Sequence, residues 1–291
     1  ERLPGHEVAV ASTPDGEREL VERARVVTGI RLDPGWLDAA EALELFACAY
    51  AGTGHLDLAA FEAAGVAVTN AAGVHGPNIA EYVVGSLVAH ERRFRRSYTQ
   101  QERRHWEAYP VRELQGSTAA VVGLGAIGTA LVDRLHPFGV DTVGVRYTPE
   151  KGGPTDEVVG FEAIHDALAG TDYLVLACPL TETTTGLIDR GALATLPAEA
   201  VLVNVARGGV VDTEDLVFAL QRNSIRGAAL DVTDPEPLPA DHDLWTFSNV
   251  LLTPHNAGDT PYYYERVADI LAENVRRLDD DGGADLRNRV V

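Results

Sequence analysis

Three residues in the C-terminal half of this chain have the right types to work on a carbonyl: Arg207, Glu236 and His255. Each lies just past a short apolar run. Arg207 follows 201–205, Glu236 follows 227–232, and His255 follows 250–253. If those runs are strands of one open parallel sheet, their C-terminal ends share an edge, and ligands bind in the crevice there. A carbonyl that receives a hydride needs a proton donor, and His supplies one near neutral pH. A carboxylate beside the imidazole favours imidazolium and orients it. Arg offers a fork that grips a carboxylate at two points and polarises a nearby carbonyl. Taken singly, the three read as a surface charge, a turn carboxylate and a loop histidine. Taken together at one edge, they describe interconversion of a 2-oxo acid and a 2-hydroxy acid.

The hydride source is encoded at Gly123-Leu124-Gly125-Ala126-Ile127-Gly128, straight after the apolar run 119–122. A G-x-G-x-x-G loop between strand and helix brings backbone N–H groups up to a pyrophosphate. The first Gly permits the turn, the second the close approach, and the third the packing of helix on strand. Alone the pattern is weak. Here an amphipathic stretch, 126–138, and a second apolar run, 142–145, follow it. Gly123, Gly125, Ala126, Ile127 and Gly128 are the expected cofactor contacts. About 20 residues past such a loop, an NAD enzyme carries a carboxylate for the ribose 2′-OH. This chain has Arg146 there, 18 residues after Gly128, followed by Tyr147 and Thr148. A cation at that slot pairs with a 2′-phosphate, and the two hydroxyls add donors. NADP(H) is therefore the expected cofactor, with NAD(H) as the alternative.

These residues need a scaffold of alternating strands and helices. Strands are expected at 7–11, 24–28, 45–49 and 66–69, with helical patterns between them. Pro77-Asn78 opens a helix to about Arg96, and a polar connection covers 100–117. Further strands are expected at 142–145, 173–177, 201–205, 227–232 and 250–253. A closing helix at 261–278 and a solvated turn at 279–283 complete the pattern. The helices at 78–96 and 261–278 flank the central block and read as crossings that return the C-terminus to the first domain. This is α/β alternation with parallel sheets.

Composition bounds the rest. A chain of 291 residues, 45% hydrophobic, suits two domains of ordinary size. No apolar run approaches the ~18 residues of a membrane span, and nothing at the start reads as a signal peptide, so the expected setting is cytoplasmic. Cys48 and Cys178 are the two cysteines, which gives neither a disulfide framework nor metal-ligand spacing; no metal is expected. Asp plus Glu total 44 against 24 Lys plus Arg, a net charge of −20, with Lys151 the single lysine. Such self-repulsion is tolerable where salt screens it, so a salt-loving source is expected. An acidic surface also argues against nucleic acid as a partner.

Ala51-Gly52-Thr53-Gly54-His55-Leu56-Asp57, 66–70, 78–81, the Gly loop, Pro179 to Thr184, Val203 to Gly209, 229–232, 235–238 and Thr253-Pro254-His255 occur in an order and combination that is highly specific. With them the chain resembles the D-specific 2-hydroxyacid dehydrogenase family almost end to end. The resemblance implies two Rossmann-like/flavodoxin-like parallel-sheet domains with a cleft between them. Residues 1–77 plus 260–291 would form the substrate domain and 78–259 the dinucleotide-binding domain. It implies that Arg207 binds the substrate carboxylate and carbonyl, that His255 is the acid/base, and that Glu236 tunes His255. The backbone of Gly52, Thr53 and Gly54 would also hold the substrate carboxylate. Asp231 resembles the family residue near the nicotinamide carboxamide. Cys178, Pro179, Thr184, Val205, Ala206, His255 and Gly258 would border the cofactor. Asn78 and Glu81 would cap and orient the linker helix. Formate dehydrogenases of this fold carry Gln where this chain has Glu236, so Glu236 favours a small 2-oxo or 2-hydroxy acid as substrate. Some relatives are cofactor-sensing corepressors, but they carry tails and partner grooves that this compact acidic chain does not show. The family tends to dimerise through the nucleotide domain, which makes a homodimer the expectation, with Trp106 and the 94–112 segment at its interface.

Overall fold

The computed structural model describes residues 2–291 as two compact units. One comprises residues up to Val74 together with Thr260–Val291; the other is His75–Asp259.

The smaller unit opens with helix α1 (Pro14–Val21), whose Thr13 hydroxyl caps it by accepting the Gly16 N–H. Strands β1 (Val26–Gly29), β2 (Leu45–Cys48) and β3 (Ala67–Thr69) form a parallel sheet in that order, with α2 (Leu58–Ala63) between β2 and β3. Its core stacks Phe46 on Phe61 at 5.2 Å, among Leu37, Val66 and Val68. The run 7–11, expected as a strand, is not one. Val8 and Val10 are 72% and 86% exposed, so their alternation meets no sheet face that would reward pairing. The sheet therefore holds three strands among the described residues.

The larger unit begins with α3 (Gly76–Glu91) and α4 (Phe94–Glu102). The expected single helix to Arg96 is broken, because Arg93 adopts a left-handed φ of 51° and a right-handed helix cannot run through it. The expected polar connection accordingly starts inside α4. Then come β4 (Thr118–Val122), α5 (Ala126–Leu135), β5 (Asp141–Val145), β6 (Glu157–Val159), α6 (Ile164–Ala169) and β7 (Tyr173–Leu176). These are followed by α7 (Arg190–Thr195), β8 (Val201–Asn204), α8 (Thr213–Gln221), β9 (Gly227–Leu230) and β10 (Val250–Leu252). All seven strands are parallel, in the order β10-β9-β8-β7-β4-β5-β6. The winding reverses between β4 and β7, which is where a doubly wound sheet opens its ligand crevice. β4, β7, β8 and β9 are near-continuously buried, as helices on both faces demand. The edge strand β6 was not legible, since two valines between Glu157 and Gly160 give no period to read.

Helix α3 packs Ile79, Ala80, Val83 and Leu87 against Val121, Val175 and α5. Its far end is fixed by charge. Glu91, 2% exposed, pairs with Arg226, and His90 Nε2 lies 3.2 Å from the Ala228 carbonyl. Burial pushes the His90 imidazole down to about 4, with the Arg226 charge adding to the shift, so it stands neutral at physiological pH.

Helix α9 (Tyr263–Asp281) belongs to the smaller unit, packing Leu278 with Leu286 on Leu45. It runs through Asp279–Asp281, which were expected in a solvated turn. Arg25 pairs with Asp279, which offsets a carboxylate at the unfavourable negative end of a helix. The chain then lies beside β3, where Val290 N–H donates to Val68 O at 2.7 Å. No described helix is long and apolar enough to cross a membrane.

Candidate active site

The Gly loop joins β4 to α5 with three different constraints. Gly123 has φ +99°, and a Cβ on it would stand 2.8 Å from the Ala177 carbonyl. A Cβ on Gly128 would stand 2.0 Å from Gly123 O, so the glycine lets α5 lie on the strand. Around Gly125, by contrast, no protein atom comes within 4 Å of the Cβ position. The space is left on the outward side, and α5 starts there with no side-chain cap on its N–H groups. Free helix-start donors beside an unfilled glycine suit a pyrophosphate. The residues present therefore fit a dinucleotide.

Arg207, Glu236 and His255 follow β8, β9 and β10, three neighbours in the sheet, on the edge that carries the Gly loop. Asn204, 1% exposed, shapes the first of these loops: its Oδ1 accepts the Ala206 N–H at 3.0 Å and its Nδ2 donates to Arg207 O at 3.0 Å. Gly208 lets this loop meet the next one, since a Cβ there would lie 2.0 Å from Thr233 O. The Arg207 side chain is exposed, with Nη1 donating to Ala206 O at 2.6 Å. Glu236 Oε1 meets His255 Nδ1 at 2.6 Å. That bond orients the ring and does not use Nε2. Both side chains stay nearly half exposed, 41% and 46%, so a ligand can reach them.

His255 holds a left-handed φ of 54°, and Asp231 keeps it there. The Asp231 carbonyl accepts the His255 N–H at 2.8 Å. Its carboxylate, 4% exposed, accepts Thr253 Oγ1 at 2.6 Å, Asn256 N at 2.9 Å and Ala257 N at 3.0 Å. A buried carboxylate with three donors is satisfied. Helix α3 closes the loop from the other side. Asn78 donates to Ala257 O at 3.0 Å, His75 Nδ1 lies 2.9 Å from Gly258 O, and Tyr82 Oη lies 2.8 Å from Thr253 Oγ1.

A cavity of about 400 Å³ sits at this edge, lined by Ile127, Cys178, Pro179, Val205, Ala206 and Arg207 among others. Burial pushes the Cys178 thiol up to about 11, so it is a protonated, apolar wall. Thr184 is 3% exposed and uses its hydroxyl inside its own turn, donating to Pro179 O at 2.6 Å; it holds Pro179 at the cavity rim. Arg146, Tyr147 and Thr148 are not among the cavity's walls. They follow β5, beyond β4, with Arg146 Nη1 donating to Gly152 O at 2.5 Å and Tyr147 80% exposed. Gly52, Thr53 and Gly54 lie in the smaller unit, in a turn where Asn70 Nδ2 donates to Ala51 O at 2.8 Å. No protein atom lies within 4 Å of a Cβ built on Gly52 or Gly54. Tyr82, Asn204 and Gly208 were not singled out in the sequence. Asn204 left a readable signal, a polar residue closing an apolar strand run.

Comparison with known proteins identifies the chain's relatives. Residues 84–257 match the model of the D-isomer specific 2-hydroxyacid dehydrogenase NAD binding domain. The chain is 36% identical over 254 residues to a glyoxylate reductase of Thermofilum pendens, covering 84% of this chain and 74% of that protein. It is 31% identical over 278 residues to a D-3-phosphoglycerate dehydrogenase of Methanocaldococcus jannaschii, covering 94% of this chain but only 53% of that one. A crystal structure of a D-isomer specific 2-hydroxyacid dehydrogenase from Xanthobacter autotrophicus, in complex with NADPH and MES, superposes with a TM-score of 0.78 at 31% identity. That superposition covers 100% of this chain and 91% of the other. With its parallel α/β architecture, its Gly loop at the switch point and these relatives, the chain belongs to the D-isomer specific 2-hydroxyacid dehydrogenase family.

Proposed function

We propose that this protein reduces a 2-oxo carboxylic acid to the D-2-hydroxy acid, reversibly, with NADPH preferred over NADH. The 2.6 Å bond between Glu236 and His255, on the sheet edge that carries the Gly loop and Arg207, is the observation that carries the reading. The bound nicotinamide supplies the hydride. As the carbonyl carbon takes it, the C=O π pair moves onto oxygen, and His255 Nε2 delivers the proton that completes the hydroxyl. Glu236 orients the ring through its bond to Nδ1. Arg207 grips the substrate carboxylate and polarises the carbonyl. Residues 78–259 serve the dinucleotide and 1–77 with 260–291 the substrate.

The test is oxidation of NADPH with 2-oxo acids of increasing chain length, with Glu236→Gln run beside the parent. The amide keeps the size of the side chain but loses the charged hydrogen bond to His255 Nδ1, so kcat should fall roughly tenfold or more with KM little changed. An unchanged kcat removes Glu236 from this role.

Two further properties belong to the same reading. The net charge of −20 fits a halophilic source and a cytoplasm of high salt. Thermal stability should then rise from low to molar salt, and a flat or falling series overturns it. Phe94, Tyr98 and Trp106 are exposed, Trp106 fully, which fits a homodimer through the 94–112 segment; a monomer by light scattering at molar salt contradicts it.

A further inference from the structure

We propose that Tyr82 is a positioning residue for His255, acting through the Thr253 hydroxyl and the Asp231 carboxylate. The hydrogen bonds have only one consistent direction. An ionised carboxylate only accepts, so at 2.6 Å Thr253 Oγ1 must donate to Asp231 Oδ1. The Thr253 oxygen is then left to accept, and Tyr82 is the donor across their 2.8 Å separation. Donation into Thr253 polarises its hydroxyl and strengthens its bond to Asp231. The same carboxylate holds the Asn256 and Ala257 N–H groups on either side of the turn after His255. Loosening one arm therefore loosens the segment that keeps His255 at φ 54° and in line with Glu236.

Tyr82 can serve as a fixed post because α3 is pinned at both ends. Asn78 holds one end to the 257–259 backbone, and the Glu91–Arg226 pair holds the other. The phenol is half-buried, with Ser86 one turn further along α3 as its other partner. Asp231, Glu236, His255 and His75 are the titratable groups that meet this segment.

The proposal rests on His255 being the proton donor, and Tyr82→Phe tests it against the parent and against His255→Asn. Losing a hydrogen bond to a charged network is expected to lower kcat roughly five- to tenfold, with both KM values within about twofold. Thr253→Val should reproduce this and Thr253→Ser should restore it, which keeps the test available if Tyr82→Phe does not fold. A change in melting temperature with kcat intact, or no rescue by Thr253→Ser, overturns the proposal. Activity retained by His255→Asn would instead sink the assignment of the proton donor, a distinct outcome.

Discussion

Asn in place of His255 is expected to lower kcat for 2-oxo acid reduction about 10²–10⁴-fold, the usual worth of general acid catalysis. The substitution is chosen for the backbone. His255 sits at φ 54°, a region most side chains avoid and Asn tolerates. The Asp231 contacts to the Asn256 and Ala257 N–H groups do not involve the ring, so the loop should keep its shape. The Asn amide can still meet Glu236, but it offers no titratable proton to a carbonyl oxygen. The loss should therefore fall on kcat and kcat/KM alike, as for an interaction made in the transition state. NADPH affinity, followed by fluorescence titration, should change far less than kcat, because apart from His255 itself the expected cofactor contacts of the Gly loop and the Cys178–Arg207 cavity are on other strands. A decrease in kcat of less than about fivefold would assign the proton to another donor.

How much of this could be read in advance follows from what each signal depends on. Arg207, Glu236 and His255 were legible because each follows an apolar strand run, and a parallel sheet brings the ends of those runs to one edge. Gly123 and Gly128 were legible as a spacing; the distinction between them and Gly125 was not. It is set by what lies opposite in space: Ala177 against Gly123, Gly123 O against Gly128, and open space beside Gly125. The Asp231 carboxylate was expected beside the nicotinamide. That it also anchors the His255 loop depends on contacts across 22 to 26 residues of sequence, which local pattern cannot carry. Tyr82 was hidden for the same reason, 171 residues from Thr253. The strand expected at 7–11 fails in the other direction. Its alternation is genuine, but alternation describes a face and not the partner that must cover it.

Arg146→Asp is expected to reverse the cofactor preference, changing the kcat/KM ratio of NADPH to NADH by roughly a hundredfold. Charge-assisted hydrogen bonds are worth about 1.5–3 kcal/mol, and two effects add here. The variant loses the guanidinium fork for the 2′-phosphate and confronts that phosphate with a carboxylate. It also gains an acceptor for the ribose 2′-OH of NADH. The local structure supports the exchange. Backbone Arg146 N donates to Val159 O at 3.0 Å, which holds the position at the end of β5 whatever side chain it bears. The guanidinium spends one donor on Gly152 O and has four left for a ligand. Gly152, at φ +61°, closes a surface turn whose loosening should cost little. Arg146→Gln separates charge from shape, keeping a donor for Gly152 while losing the cation, and should weaken NADPH without improving NADH. The measurement is kcat/KM for both cofactors with one 2-oxo acid, at fixed high salt, because screening weakens the very contact under test. An unchanged ratio in Arg146→Asp would mean that Arg146 faces solvent and that the 2′ position is read elsewhere.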